Sequence, residues 1–152
     1  MTFESALKTI PALAGKHRLG LQALKAVDRA RVNLKPAKCV RASVEVDETL
    51  RPFFPQDPRW DYVLAQPPAH GNRKERLVWL EVHPANGTGN IAEMESKLQW
   101  LKEWLKGKQL ELFPRRFVWV SSGRCEITPR SPRMRQLIEQ GLEFRGRCLF
   151  LA

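Results

Sequence analysis

Leu77-Val78-Trp79-Leu80-Glu81-Val82-His83 is the stretch whose reading decides the fold. It reads as a strand that buries its flanks. The run ends, however, on a carboxylate and an imidazole two residues apart. Alternate residues of a strand share a face, so Glu81 and His83 point one way and Val82 the other. Upstream, Trp60-Asp61-Tyr62-Val63-Leu64-Ala65 is a second apolar run with a carboxylate near its start. Burying a carboxylate is costly unless it is paired, hydrogen-bonded or bound to a metal. Two such strands side by side are expected to gather Asp61, Glu81 and His83 around one point, which suggests a divalent-cation site.

Working outward, Trp60–Gln66 and Arg76–His83 read as strands joined by the polar turn Pro67–Arg73. Cys39–Val46 alternates and is rich in β-branched residues, so it is a third strand, and the proline-punctuated Arg51–Pro58 is a loop. Pro84–Gly89 reads as loop, and Thr88-Gly89-Asn90 as a flexible loop at its junction with the next element. Asn90, with Glu93 three residues on, is the expected N-cap of a helix. That helix carries Met94, Leu98, Leu101 and Leu105 on one stripe and stops before Gly107. Phe117–Val120 is a short buried strand followed by a turn at Ser121-Ser122-Gly123. Ser131-Pro132 opens a further helix that stops at Gly141, and Cys148–Leu151 is a last strand.

Residues 3–33 read as helical in two pieces, broken near Pro11 and Gly15, with the second running from Leu19 to Val32; residues 1–17 form an N-terminal helical extension. Three successive strands predict an antiparallel meander, and the helix after them lets a fourth strand pair in parallel. The expected fold is α/β, a mixed central sheet flanked by helices, in a single domain over 1–152.

The formal net charge is +10, unevenly spread. Residues 1–41 hold nine Lys/Arg against two acids, and residues 115–147 hold eight Arg against three. The middle, which contains the candidate site, has eleven acids against nine bases. Basic flanks around an acidic centre suit a phosphate-rich polymer, so a nucleic-acid partner is expected. Arg130, Arg133 and Arg135, at the start of the last helix, are the preferred backbone contacts, since helix N-termini and arginine forks both favour phosphate. Cys39, Cys125 and Cys148 lack any C-x-x-C spacing and read as reduced, mostly buried thiols of a cytoplasmic protein. No apolar run is long enough to span a membrane, and the N-terminus makes a poor signal peptide.

The order helix, strand, strand with Asp61, strand with Glu81-Val82-His83, helix, strand resembles the core of the PD-(D/E)XK nuclease-like superfamily, the restriction-endonuclease-like fold. The resemblance covers roughly Leu19 to Val120. It implies a divalent-metal-dependent phosphodiesterase acting on DNA or RNA, with Mg²⁺ or Mn²⁺ as cofactor. By the same resemblance, Asp61 and Glu81 are metal ligands, and the carbonyl of Val82 adds a third. The family's lysine is replaced here by His83, which becomes a ligand or a base, and Lys97 on the following helix is the relocated cation. The catalytic set implied is thus Asp61, Glu81, His83 and Lys97.

Each residue also has a plainer reading. Asp61 can pair with Arg59, Glu81 with a buried lysine or arginine, and Lys97 with Glu93 at i, i+4. His83 can be an exposed strand-end histidine, Glu45 and Asp47 a solvent face, and the three arginines a solvated cluster. The matching alternative function is a non-catalytic nuclease-like module that binds nucleic acid or a protein partner. Such a module can be a homodimer or a subunit of a larger assembly, with its tryptophans exposed for contact.

Overall fold

A computed structural model describes residues 1–152. The elements in chain order are α1 (Phe3–Lys8), β1 (Arg18–Leu19), α2 (Ala26–Arg29), β2 (Val32–Leu34), β3 (Ala42–Glu45), α3 (Val46–Leu50) and β4 (Tyr62–Gln66). They continue with β5 (Arg76–Ala85), α4 (Thr88–Leu105), β6 (Arg115–Cys125), α5 (Pro132–Glu139), β7 (Leu142–Phe144) and β8 (Leu149–Leu151). Six strands form one mixed sheet in the order β1-β3-β4-β5-β6-β7. The expected meander is there: β3, β4 and β5 are antiparallel neighbours. So is the crossover, because α4 returns the chain to lay β6 parallel to β5. The fold is α/β.

Side-chain parity sorts the core into two layers. Val63, Ala65, Leu77, Trp79, Phe117 and Trp119 face one way and pack with Ile91, Met94, Leu98 and Leu101 of α4, Phe3 of α1 and Met134 of α5. Tyr62, Leu64, Val78, Leu80, Val118 and Val120 face the other way, under Leu24, Val32, Leu149 and Leu151. All five residues of β4 are buried, as are Leu77–Glu81 of β5. These central strands are therefore the continuous apolar runs of the sequence, and their pleat sends Glu81 and His83 toward α4.

Several expectations need correction. The Leu19–Val32 helix is absent: β1, a series of turns, the four-residue α2 and β2 take its place. Leu24 is buried but Val27 is 65% exposed, so no continuous apolar face of such a helix is covered, while β3 and β8 offer open edges that β1 and β2 complete. Val46, expected at a strand end, begins α3. The last strand, β8, does not enter the main sheet but pairs in parallel with β2, and the sheet instead gains β7 beside β6. Thr88-Gly89-Asn90 is the first turn of α4 rather than loop, and the N-cap is Gly87 rather than Asn90. The Asn90 side chain works from inside that turn, accepting from the Asn86 amide at 2.9 Å and donating to Glu93 Oε1 at 3.2 Å. Ser121-Ser122-Gly123 lies within β6, where Ser121 sits opposite His83 while Cys125 sits opposite Ala85. The extra residues form a bulge, and Ser121 Oγ anchors it through the Gly123 and Arg124 carbonyls.

Gly107 (φ 76°) and Gly141 (φ 105°) end α4 and α5 in the left-handed conformation that their positions in the sequence imply. No helix is long and apolar enough to cross a membrane. Cys39 is buried as expected, but Cys125 and Cys148 are exposed.

Candidate functional site

The register that sets Tyr62 opposite Leu80 places Asp61 opposite Glu81, one step beyond the paired end of β4 and on the face covered by α4. The two residues engage reciprocally. The Asp61 amide donates to Glu81 Oε1 at 3.0 Å, and the Val82 amide donates to Asp61 Oδ2 at 3.0 Å. Val82 therefore joins the site through its backbone, with its side chain packed on the opposite face. Each carboxylate keeps one oxygen clear of these backbone bonds.

Lys97 reaches down from α4 to the second oxygen of Glu81, with Nζ 3.0 Å from Oε2, and donates to the Arg59 carbonyl at 2.8 Å. The Trp60 indole donates to the Lys97 carbonyl at 2.7 Å, which pins the middle of α4 to the entrance of β4. The i, i+4 pair of Glu93 with Lys97 is not made, because both side chains turn toward the sheet. Lys97 goes to Glu81, and Glu93 goes to His83, with Nε2 and Oε2 2.9 Å apart. Asp61 does not pair with Arg59 either; that guanidinium holds Asp47 at 3.0 Å, so Asp47 is a brace of the site loop and not simply a solvent face.

His83 is only 15% exposed, its carbonyl held by the Trp119 indole at 3.0 Å, so it is not an exposed strand end. Its Nδ1 lies 3.6 Å from Glu81 Oε2, too far for a hydrogen bond. Its Nε2 is close to Glu93 but makes no hydrogen bond although it is buried. Burial pushes the imidazole below its ordinary pKa.

The electrostatics follow from burial. Glu81 is 2% exposed, and burial together with the neighbouring Asp61 charge raises its carboxyl to about 8, against the pull of Lys97. Burial likewise lifts Asp61 to about 6. Two carboxylates facing one ammonium thus hold protons more tightly than they do in water, which marks incomplete charge compensation. A hard divalent cation suits such a place: Mg²⁺ is commonly held by one or two carboxylates, with waters and substrate phosphates completing its shell. No three His, Cys, Asp or Glu side chains converge to hold an ion by themselves. Asp61 and Glu81 could hold a cation only as part of a larger ligand set.

Arg130, Arg133 and Arg135 are exposed at the start of α5. Because α5 follows β6, they lie at the end of the sheet where β5 carries Glu81 and His83. The tryptophans are not exposed. Trp104 is buried, and the half-buried Trp100 stacks on it with ring centroids 5.9 Å apart. Sequence reasoning missed Glu93 as a neighbour of His83. The spacing that puts Glu93 and Lys97 on one helix face was visible, but that the face points down at the sheet was not. Comparison with protein-family models, curated proteins and solved structures gave no match.

Proposed function

We propose that this protein is a divalent-metal-dependent nuclease that cleaves phosphodiester bonds of DNA or RNA, built on a nuclease-like core of the PD-(D/E)XK type. The observation that carries the reading is the cross-strand pair Asp61–Glu81, buried on one sheet face with the Lys97 ammonium against it. The order β3-α3-β4-β5-α4-β6, with one acid just before β4 and another within β5, supports the same reading. Asp61 and Glu81 would hold Mg²⁺ or Mn²⁺, joined by the Val82 carbonyl. Bound there, the ion supplies charge neutralisation for the phosphate and lowers the pKa of a water.

The chain's own residues do the rest. The Val82 and Asp61 amides fix the two carboxylates, so that little reorganisation accompanies binding. Lys97 provides the cation that His83 does not, from a helix position held by Trp60 and Arg59. The neutral imidazole of His83 is suited to accept a proton from the attacking water. Arg130, Arg133 and Arg135 hold the phosphate backbone beside the reacting bond.

The test is cleavage of plasmid and oligonucleotide substrates in Mg²⁺ or Mn²⁺. The parent cuts, and Glu81→Ala and Asp61→Asn, folded and still binding, lose about a hundredfold or more of the rate. A parent that binds but never cuts, across metals and substrates, refutes catalysis. It would favour instead the reading as a non-catalytic module that binds nucleic acid or a protein. That second reading draws on one observation: Lys97 already neutralises the free oxygen of Glu81, as a purely structural buried pair would.

A further inference from the structure

His83 Nε2 and Glu93 Oε2 stand 2.9 Å apart, yet Nε2 is buried without a hydrogen-bond partner. Proximity alone explains the distance but not the unpartnered nitrogen. A shared cation explains both. Two cis ligands at ordinary metal–ligand lengths lie about 3.0 Å from one another, each aimed at the ion and not at its neighbour.

We infer that His83 Nε2 and Glu93 Oε2 form a second divalent-cation position, separate from the Asp61–Glu81 pair and facing the first turn of α4.

The surroundings are those of a supported ligand pair. The Asn90 amide donates to the other oxygen of Glu93 at 3.2 Å, leaving Oε2 to the ion. Asn90 is itself fixed by the Asn86 amide, and the Trp119 indole fixes the His83 carbonyl. Ligating carboxylates are typically oriented by such outer hydrogen bonds. Glu93 is 54% exposed while His83 is 15% exposed, so the carboxylate can open toward solvent to admit an ion while the imidazole waits in place. The Lys97 ammonium points away, to Glu81 and the Arg59 carbonyl, and does not fill this position. An imidazole in the set favours a first-row transition-metal cation over Mg²⁺, and Mn²⁺, which also suits carboxylate and water, serves as the probe. With only two protein ligands, waters or a phosphate oxygen of the nucleic acid must complete the shell. A phosphate reaching both this ion and the Asp61–Glu81 pair would give the proposed nuclease a two-cation centre in which His83 is a ligand in place of the base, and that extension alone rests on the nuclease reading.

The experiment uses the full chain and Mn²⁺ alone, read by the coupling of the bound ion's unpaired electrons to an imidazole nitrogen in pulsed electron-spin resonance. The parent shows nitrogen coupling. Asp61→Asn keeps it, because the first pair is not its source. His83→Gln abolishes it, and Glu93→Gln weakens Mn²⁺ binding at this position at least about tenfold, the loss seen when even a supporting partner of a ligand is removed. Absence of nitrogen coupling in the parent overturns the inference. So does coupling that survives His83→Gln, and so does coupling that Asp61→Asn removes while Glu93→Gln leaves it untouched. Because the readout is coordination and not cleavage, failure here leaves the nuclease proposal standing, and a protein that never cleaves can still pass.

Discussion

Glu81→Gln isolates the cost of a buried carboxylate. The amide keeps the shape and can still accept from the Asp61 N–H through its oxygen, but it carries no charge. In the parent, the Glu81 carboxyl titrates near 8 when folded, against an ordinary value of 4.5. A group whose folded pKa is raised contributes stability that is fully present below the unfolded value and is lost as pH rises through the folded one. In the metal-free parent, stability is therefore expected to fall between about pH 4.5 and 8. At about 1.4 kcal/mol per pH unit that interval sets a ceiling of about 5 kcal/mol. Asp61 adds a smaller loss in the same direction, over the interval from 3.8 to about 6. Glu81→Gln removes the larger part, so its stability changes less with pH, and its advantage over the parent grows toward pH 8. The assay is urea unfolding at pH 5, 6, 7 and 8 in the presence of a chelator. A second series with excess Mg²⁺ or Mn²⁺ is expected to restore the parent at pH 8 and to leave the variant nearly unmoved, because an ion that binds only the folded state stabilises by mass action. Stability curves that run parallel for parent and variant would refute the reasoning, since Glu81 would then be no more strained than a solvated glutamate.

Other outcomes follow from the same geometry. Leu98→Ala, at a fully buried position under the sheet, is expected to cost about 2–5 kcal/mol in chemical denaturation. Ser131→Ala removes the side chain that caps the Met134 amide and should cost about 1 kcal/mol, seen as a lower urea midpoint. Replacing Arg130, Arg133 and Arg135 together by Ala should leave stability within about 0.5 kcal/mol, because all three are exposed. The same variant should weaken duplex-DNA binding and lower the slope of log affinity against log salt by up to about 3, measured by fluorescence anisotropy. An unchanged slope would refute the assignment of phosphate contacts to these arginines.

Local order in the sequence was sufficient for the middle of the chain and insufficient for its ends. Tyr62–Ala65 and Leu77–Leu80 are unbroken apolar runs of strand length bounded by polar turns, so β4 and β5 were legible, and three successive strands predicted the meander. The stripe Met94-Leu98-Leu101-Leu105 likewise announced α4 and hence the parallel return to β6. Parity fixed that Glu81 and His83 share a face, and the covering helix made Lys97 a candidate. The N-terminal third misled because helical spacing in Leu19–Val32 is satisfied only if a partner covers it. Open edges at β3 and β8 offered those residues backbone bonds instead.

What only the tertiary structure decided is who meets whom. The register of β4 on β5 turned two carboxylates into a reciprocal pair, and the height of α4 above the sheet sent Lys97 to Glu81 and Glu93 to His83 in place of the i, i+4 pair between them. Side-chain parity is a property of one strand and can be read from its residues. Register, and the distance of a covering helix, are set by packing between segments far apart in the chain, and no single segment carries that information.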